Sequence, residues 1–243
     1  MCYSIDTYCN PWHVPYAHGF DVSLVAQKDY VPVFAGAGIK AGWLPLFCPQ
    51  QPLPETEFFS RDIPVSFVGT LRHKNNPDRE PFLKAFRARH PLIFLSGEYT
   101  EIFRRSRIVL NQTAAAEVNF RCFEAIGCGA ALLMETSSNG LDELFTPGEE
   151  LLPTYPRNNA RAAADIAAAS LARPEQLAEI ALAGHRAVSR RHTATVRAAS
   201  LAHILAGLCA DQAHRPRLER ELERRAALVR AAYGMSGAFL FVS

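Results

Sequence analysis

Val109-Leu110-Asn111-Gln112-Thr113-Ala114-Ala115-Ala116-Glu117-Val118-Asn119-Phe120-Arg121-Cys122-Phe123-Glu124-Ala125-Ile126-Gly127-Cys128-Gly129-Ala130 is the stretch on which the fold turns. An apolar run ends at Asn111 and a loop of small and polar residues follows. Asn119 then stands where a helix cap belongs. Phe120–Cys128 carries helical spacing, and Gly127 and Gly129 allow a sharp return into a second apolar run, Ala131–Met134. This is a strand–loop–helix–strand unit, and such units build parallel sheets with right-handed crossovers.

The same rhythm extends outward. Candidate strands are Tyr3–Thr7, Asp21–Ala26, Gly42–Phe47, Val65–Gly69, Leu92–Leu95, Arg107–Asn111, Ala131–Met134 and Glu150–Leu152. Helix-like segments lie between them: Trp12–Gly19, Tyr30–Ala37, Arg79–His90, Thr100–Ser106, Phe120–Cys128 and Leu141–Phe145. The fold class expected is α/β, with Val65–Leu152 forming a parallel sheet covered by helices on both faces.

Pro45–Pro64 breaks the pattern with five prolines and few periodic apolar residues, and reads as an extended connection with few contacts. The expected organisation is a small remnant unit over 1–48, a linker over 49–64, a complete Rossmann-like domain over 65–210, and a C-terminal helix and tail over 211–243. The remnant has about three strands, too few to bury a core alone. From Asn158 the chain is alanine-rich and helical. Pro174 suits a first turn, Thr193 suits a cap, and Arg215–Tyr233 is amphipathic. Ala238–Val242 reads as an edge strand or a fraying end.

Composition narrows the function classes. In 243 residues, 26 Lys+Arg stand against 24 Asp+Glu, a net charge of +2, which gives no global field for nucleic acid or a membrane surface. There is no apolar run of transmembrane length and no basic-then-apolar leader. The six cysteines (Cys2, Cys9, Cys48, Cys122, Cys128, Cys209) match no zinc spacing and read as reduced thiols in a cytosolic protein, with no metal.

Three places carry polar chemistry at strand ends, where doubly wound folds bind ligands. Gly69, with Arg72, Lys74 and Arg79 in the loop beyond it, suits a diphosphate; the alternative is a solvated basic loop. Asn111, Asn119, Arg121 and Glu124 form the second. Arg121 and Glu124 share one helix face, so they suit a nucleotide, with Glu124 accepting two ribose hydroxyls, or else form a structural ion pair. Asp6 and His13 form the third, where an imidazole near a strand end would orient a reacting hydroxyl or simply be a satisfied histidine. Neither a P-loop nor a Gly-x-Gly-x-x-Gly fingerprint is present.

Asn119-Phe120-Arg121-x-Phe123-Glu124-Ala125-x-x-x-Gly129-Ala130-x-Leu132-Leu133 resembles the core motif of the spore-maturation-protein-like (CgeB-like) glycosyltransferases. Phe20-Asp21, Val25-Ala26-Gln27-Lys28-Asp29, Trp43-Leu44-Pro45-Leu46, Phe67-Val68-Gly69, Leu144-Phe145-x-Pro147-Gly148-Glu149-Glu150 and Arg191-His192-Thr193 with Arg197 are similar in order. The resemblance spans roughly Tyr3 to Leu205. It implies a GT-B architecture, N-terminally truncated, whose C-terminal Rossmann-like domain binds a nucleotide sugar without an essential metal or other cofactor.

It further implies a bacterial, cytoplasmic glycosyltransferase of retaining stereochemistry with an unknown acceptor. The alternative is a noncatalytic nucleotide-sugar-binding module, or a subunit completed by a partner. By position, Glu124 matches the ribose-binding carboxylate, and Arg72 or Lys74 lies where basic residues meet the diphosphate. Related GT-B enzymes often carry a second glutamate eight residues before the ribose-binding one. Here that position is Ala116, with Glu117 one residue off.

Overall fold

The computed structural model describes residues 1–52, 57–72, 74–95, 97–210 and 214–240, without the side chains of 214–215 and 236–240. In chain order the elements are β1 (Cys2–Ser4), α1 (His13–Ala17), β2 (Ser23–Val25), α2 (Val31–Gly36), β3 (Ala41–Trp43), β4 (Ile63–Val68), α3 (Arg79–Arg87), β5 (Ile93–Leu95), α4 (Thr100–Arg105), β6 (Ser106–Asn111), α5 (Phe120–Gly127), β7 (Ala131–Met134), α6 (Leu141–Leu144), α7 (Ala160–Leu171), α8 (Pro174–Arg191), α9 (Ala194–Ala210) and α10 (His214–Leu240). They form two compact units: Met1–Pro45 with the chain from Arg197 onward, and Leu46–Val196.

The first unit holds three parallel strands in the order β1-β2-β3. Alternation along β2 sends Val25 to one face and Leu24 to the other. Val25 packs with Ala17, Phe34 and Ile39. Leu24 packs with Val22 and Leu44, against Leu201, Ile204 and Leu208 of α9. The sequence division at 210 puts α9 with the second unit, but its apolar stripe packs on this small sheet. α10 lies on α1. Gly19 allows that approach, since a Cβ there would sit 2.3 Å from Val229 Cγ2. The tail expected over Ala238–Val242 continues α10 as far as Leu240, and 241–243 lie outside the described residues.

The second unit is a four-stranded parallel sheet in the order β5-β4-β6-β7. On one face Val65, Phe67, Ile108, Leu110, Ala131 and Leu133 pack against α3 and α7 through Phe82, Phe86, Ala163 and Ala167. On the other, β6 and β7 meet α5, and β7 meets α8. All four residues of β7 are buried, as a parallel strand covered on both faces requires. Truncating a buried ring such as Phe67 costs about 3–5 kcal/mol.

Two sequence expectations need correction. Glu150–Leu152 is not a strand. Leu151 forms only an isolated bridge with Pro147, and the following segment runs beside β7 through Leu152 N–H to Leu132 O (3.0 Å) and Tyr155 N–H to Met134 O (3.1 Å). Pro153 lacks the N–H that would continue a ladder.

Nor is the proline-rich connection free of contacts. Leu46 and Cys48 are buried, and Cys48 N–H donates to His192 O at 2.8 Å. Arg61 is buried and donates to the carbonyls of Phe103, Ser106 and Cys128, each at 2.9 Å. Of this connection, 53–56 lie outside the described residues. Among the described residues no helix is long and apolar enough to cross a membrane.

Candidate functional site

Within the second unit, β6 ends at Asn111, and Gly69 and Glu135 directly follow β4 and β7. Parallel strands point these carboxyl ends to the same sheet edge. Phe67, buried in β4, carries two guanidiniums over its ring: Arg121 at 4.7 Å and Arg79 at 5.6 Å from the centroid. Gly69 makes room for the first. Its φ is +155°, and a Cβ there would lie 2.5 Å from Arg121 Nη2. Arg121 donates from Nη1 to Asn111 Oδ1 (2.8 Å), and Asn111 Nδ2 donates to Asn119 Oδ1 (3.1 Å). The Asn119 side chain therefore holds Asn111 instead of capping α5.

Burial, and then the neighbouring Arg79 charge, push the Arg121 pKa down to about 10. Among the described residues no carboxylate forms an ion pair with Arg121, so the alternative of an Arg121–Glu124 ion pair is not formed. A desolvated guanidinium with no carboxylate partner is costly unless an anion meets it.

Glu124 is the fifth residue of α5, in its second turn. Burial is the main influence on its carboxyl and raises the pKa. The Tyr99 hydroxyl and Arg121 oppose that, and Glu98 adds to it.

The basic loop divides differently from expectation. Arg72 is 81% exposed and forks onto Glu80 at 2.7 and 3.2 Å. Lys74 is exposed, and His73 between them lies outside the described residues. Arg79, noted in the sequence only as one of three loop cations, reaches the strand tips, donating to Thr70 O (3.0 Å) and Gln112 Oε1 (3.3 Å). Its place at the first residue of α3 was the available signal.

The loop after β6 is pinned by Glu135, which the sequence reading passed over, and by Glu117. Buried Glu135 accepts from Thr113 N–H (3.1 Å), the Thr113 hydroxyl and Asn158 N–H (3.3 Å). Glu117 turns back onto its own loop and accepts from Ala114 N–H (3.2 Å) and Ala115 N–H (2.7 Å), around Ala116 at φ +53°.

In the first unit, Asp6 and His13 both sit at the carboxyl end of β1. Asp6 is exposed, with φ +55°, at the start of a short turn. His13 is half-buried, and its Nδ1 lies 2.8 Å from Ser4 Oγ, which lies 2.7 Å from Thr7 Oγ1. Burial lowers the His13 pKa. A cavity of about 680 Å3 lies instead at the amino ends of β2 and β3, walled by Val22, Ile39, Lys40, Ile204 and Arg225. It is on the opposite sheet edge from these two residues.

Comparison with known proteins places this arrangement. The protein is similar in structure to HepE of Anabaena, solved in complex with UDP-glucose, at 13% identity and a TM-score of 0.64 over 77% of this chain and 64% of that one. It is similar to sucrose-phosphate synthase from Thermosynechococcus elongatus at 15% identity and 0.61, over 78% and 59%. A glycosyltransferase from Rickettsia africae matches at 10% and 0.60, over 86% and 69%. The chain thus spans less than two thirds of the length of the first two. These likenesses show the fold, the parallel α/β arrangement of GT-B glycosyltransferases. A comparison with curated proteins finds no match. Residues 60–203 match the family described as glycosyl transferase-like, and the chain belongs to that family.

Proposed function

We propose that the second unit binds the nucleotide-sugar donor of a glycosyltransferase, and that the protein transfers the sugar to an acceptor. The observation that carries this reading is Arg121: a guanidinium over Phe67, at the carboxyl ends of the strands, with no carboxylate partner among the described residues. Arg121 and Arg79 suit the donor diphosphate, and Glu124 suits the ribose hydroxyls. When the glycosidic bond to phosphate breaks, negative charge grows on the leaving diphosphate. Fixed guanidiniums stabilise that charge without reorganising. Asp6 and His13 in the first unit would orient the acceptor hydroxyl. The finer placement, a retaining CgeB-like bacterial enzyme of the cytoplasm that needs no cofactor, is part of the proposal and rests on the motif around Glu124.

HepE binds UDP-glucose, which makes UDP-sugars the first donors to try, with GDP-sugars beside them. Isothermal titration of the wild type and of Arg121→Gln tests the reading. Binding by the wild type, weakened at least about tenfold in the variant, supports it; equal affinity in a folded variant sinks it.

A second reading, a noncatalytic donor-binding module, is favoured by Glu117. Its carboxylate is committed to its own loop amides, and Ala116 fills the position of the second glutamate. Donor binding without release of sugar to any acceptor or to water would favour the module.

A further inference from the structure

Three side chains of the first unit share two hydrogen bonds at the carboxyl end of β1. Ser4 Oγ lies 2.8 Å from His13 Nδ1 and 2.7 Å from Thr7 Oγ1. Ser4 is the last residue of β1 and is fixed on the sheet, paired with Val25 and accepting from Ala26 N–H at 3.0 Å. Ser4 and Thr7 are each only 4% exposed, and among the described residues neither hydroxyl has another partner.

Each hydroxyl has one proton to donate, and a neutral imidazole has one N–H and one bare nitrogen. Burial lowers the His13 pKa, so the ring is neutral at neutral pH. If Ser4 donated to Thr7, the Thr7 proton would be buried with no acceptor. If His13 Nδ1 and Thr7 both donated to Ser4, the Ser4 proton would be the orphan. A buried donor left without an acceptor bears its full desolvation penalty. One arrangement leaves no such proton: Thr7 donates to Ser4, and Ser4 donates to His13 Nδ1. The network thereby assigns the ring proton to Nε2. That nitrogen meets no partner among the described residues and is not sealed from solvent.

We propose that Ser4, oriented by Thr7, is a positioning residue that holds His13 as the Nε2–H tautomer, so that His13 meets the sugar acceptor as a hydrogen-bond donor to an oxygen atom and not as the base that takes its proton. This rests on the reading that His13 orients the acceptor hydroxyl, and it sets which way that bond runs. A hydroxyl oxygen that accepts from Nε2–H keeps its own proton turned away from the ring.

Nitrogen NMR of the histidine-labelled protein at neutral pH reads the tautomer without any substrate, with His13→Gln identifying the signals of residue 13. Wild type should show Nε2–H alone. In Ser4→Ala the Nδ1–H form should appear beside it, and Ser4→Thr, which keeps the hydroxyl, should restore the wild-type pattern. Nδ1–H in wild type overturns the inference, and so does a Ser4→Ala protein with the wild-type tautomer. The wild-type spectrum decides even where Ser4→Ala does not fold. Glucose transfer from UDP-glucose and GDP-glucose to water and to a panel of sugars then tests the role. His13→Gln keeps an N–H but takes no proton at neutral pH, so it should turn over at least about tenfold faster than His13→Phe. An equal loss in both overturns the donor role. If wild type turns over neither donor, or both variants turn over as wild type does, the reading that His13 meets the acceptor fails and takes the donor role with it, while the tautomer result stands.

Discussion

Gly69 and Arg121 compete for one space: a Cβ on residue 69 would lie 2.5 Å from Arg121 Nη2. The loop after β4 and the second residue of α5 are therefore fitted to each other. Gly69→Ala should cost about 1–3 kcal/mol, because its φ of +155° is also strained for any side chain. It should also displace the guanidinium and weaken nucleotide affinity. Thermal melting and titration on the same variant check both. Unaltered affinity in a destabilised variant would separate Arg121 from the donor site.

Arg72 and Arg121 should behave oppositely. Arg72 is an exposed partner of Glu80, so Arg72→Ala should leave donor affinity within about twofold. Arg121→Gln removes a charge-assisted donor worth on the order of 1.5–3 kcal/mol, an affinity loss of at least about tenfold. Titration of the two variants side by side decides between them. A large loss in Arg72→Ala with none in Arg121→Gln would restore the loop assignment made from sequence.

That contrast shows what the sequence carries and what it does not. β7 was legible to the residue because a strand buried on both faces is an unbroken apolar run, and Ala131–Met134 is one. Helix starts were legible at Arg79, Thr100 and Phe120 from spacing alone. The cations at the strand tips were not. Arg72, Lys74 and Arg79 look alike in one dimension, and only the turn of the loop sends Arg72 to Glu80 and Arg79 to Phe67. Asn119 shows the same limit: its position is that of a cap, but Asn111 claims its oxygen. Cys48, whose N–H bonds His192 O, was hidden among prolines in a stretch that reads as linker.

Arg61 sits in that stretch as well, and it is no linker residue. Three of its bonds satisfy the carbonyls of Phe103 and Ser106 around the end of α4, and of Cys128 at the end of α5. Arg61→Met would leave three acceptors without this donor, each worth about 1–3 kcal/mol when unsatisfied and buried. A loss of at least about 3 kcal/mol in denaturant unfolding is expected. A near-neutral result would mean that water replaces the guanidinium.

In the first unit, His13 makes stability depend on pH. Burial holds its folded pKa below the unfolded value, so the unfolded chain binds the proton first as pH falls. The histidine's contribution is complete above the ordinary value of about 6.5 and is lost as pH drops below it. His13→Gln should flatten that acid limb of a melting-temperature profile. An unchanged limb would assign the sensitivity to other groups.

Glu124 has the opposite sign, and it separates binding from folding. Burial raises its folded pKa above the unfolded value, so between the two the native state holds more protons than the unfolded chain. Stability therefore falls as pH rises through this window, and the ionised carboxylate is a standing cost at neutral pH. No ion pair to Arg121 offsets it among the described residues. Glu124→Gln should melt higher than wild type at neutral pH, and the gain should vanish in acid below both pKa values. The same variant should bind nucleotide at least about tenfold more weakly, because an amide offers one acceptor oxygen where the carboxylate offers two. Melting profiles from acid to neutral pH, paired with titration of UDP and GDP, read both effects from one protein. A Glu124→Gln variant that melts lower than wild type at neutral pH would show that the carboxylate is bound into the fold instead of being held ready for a ligand.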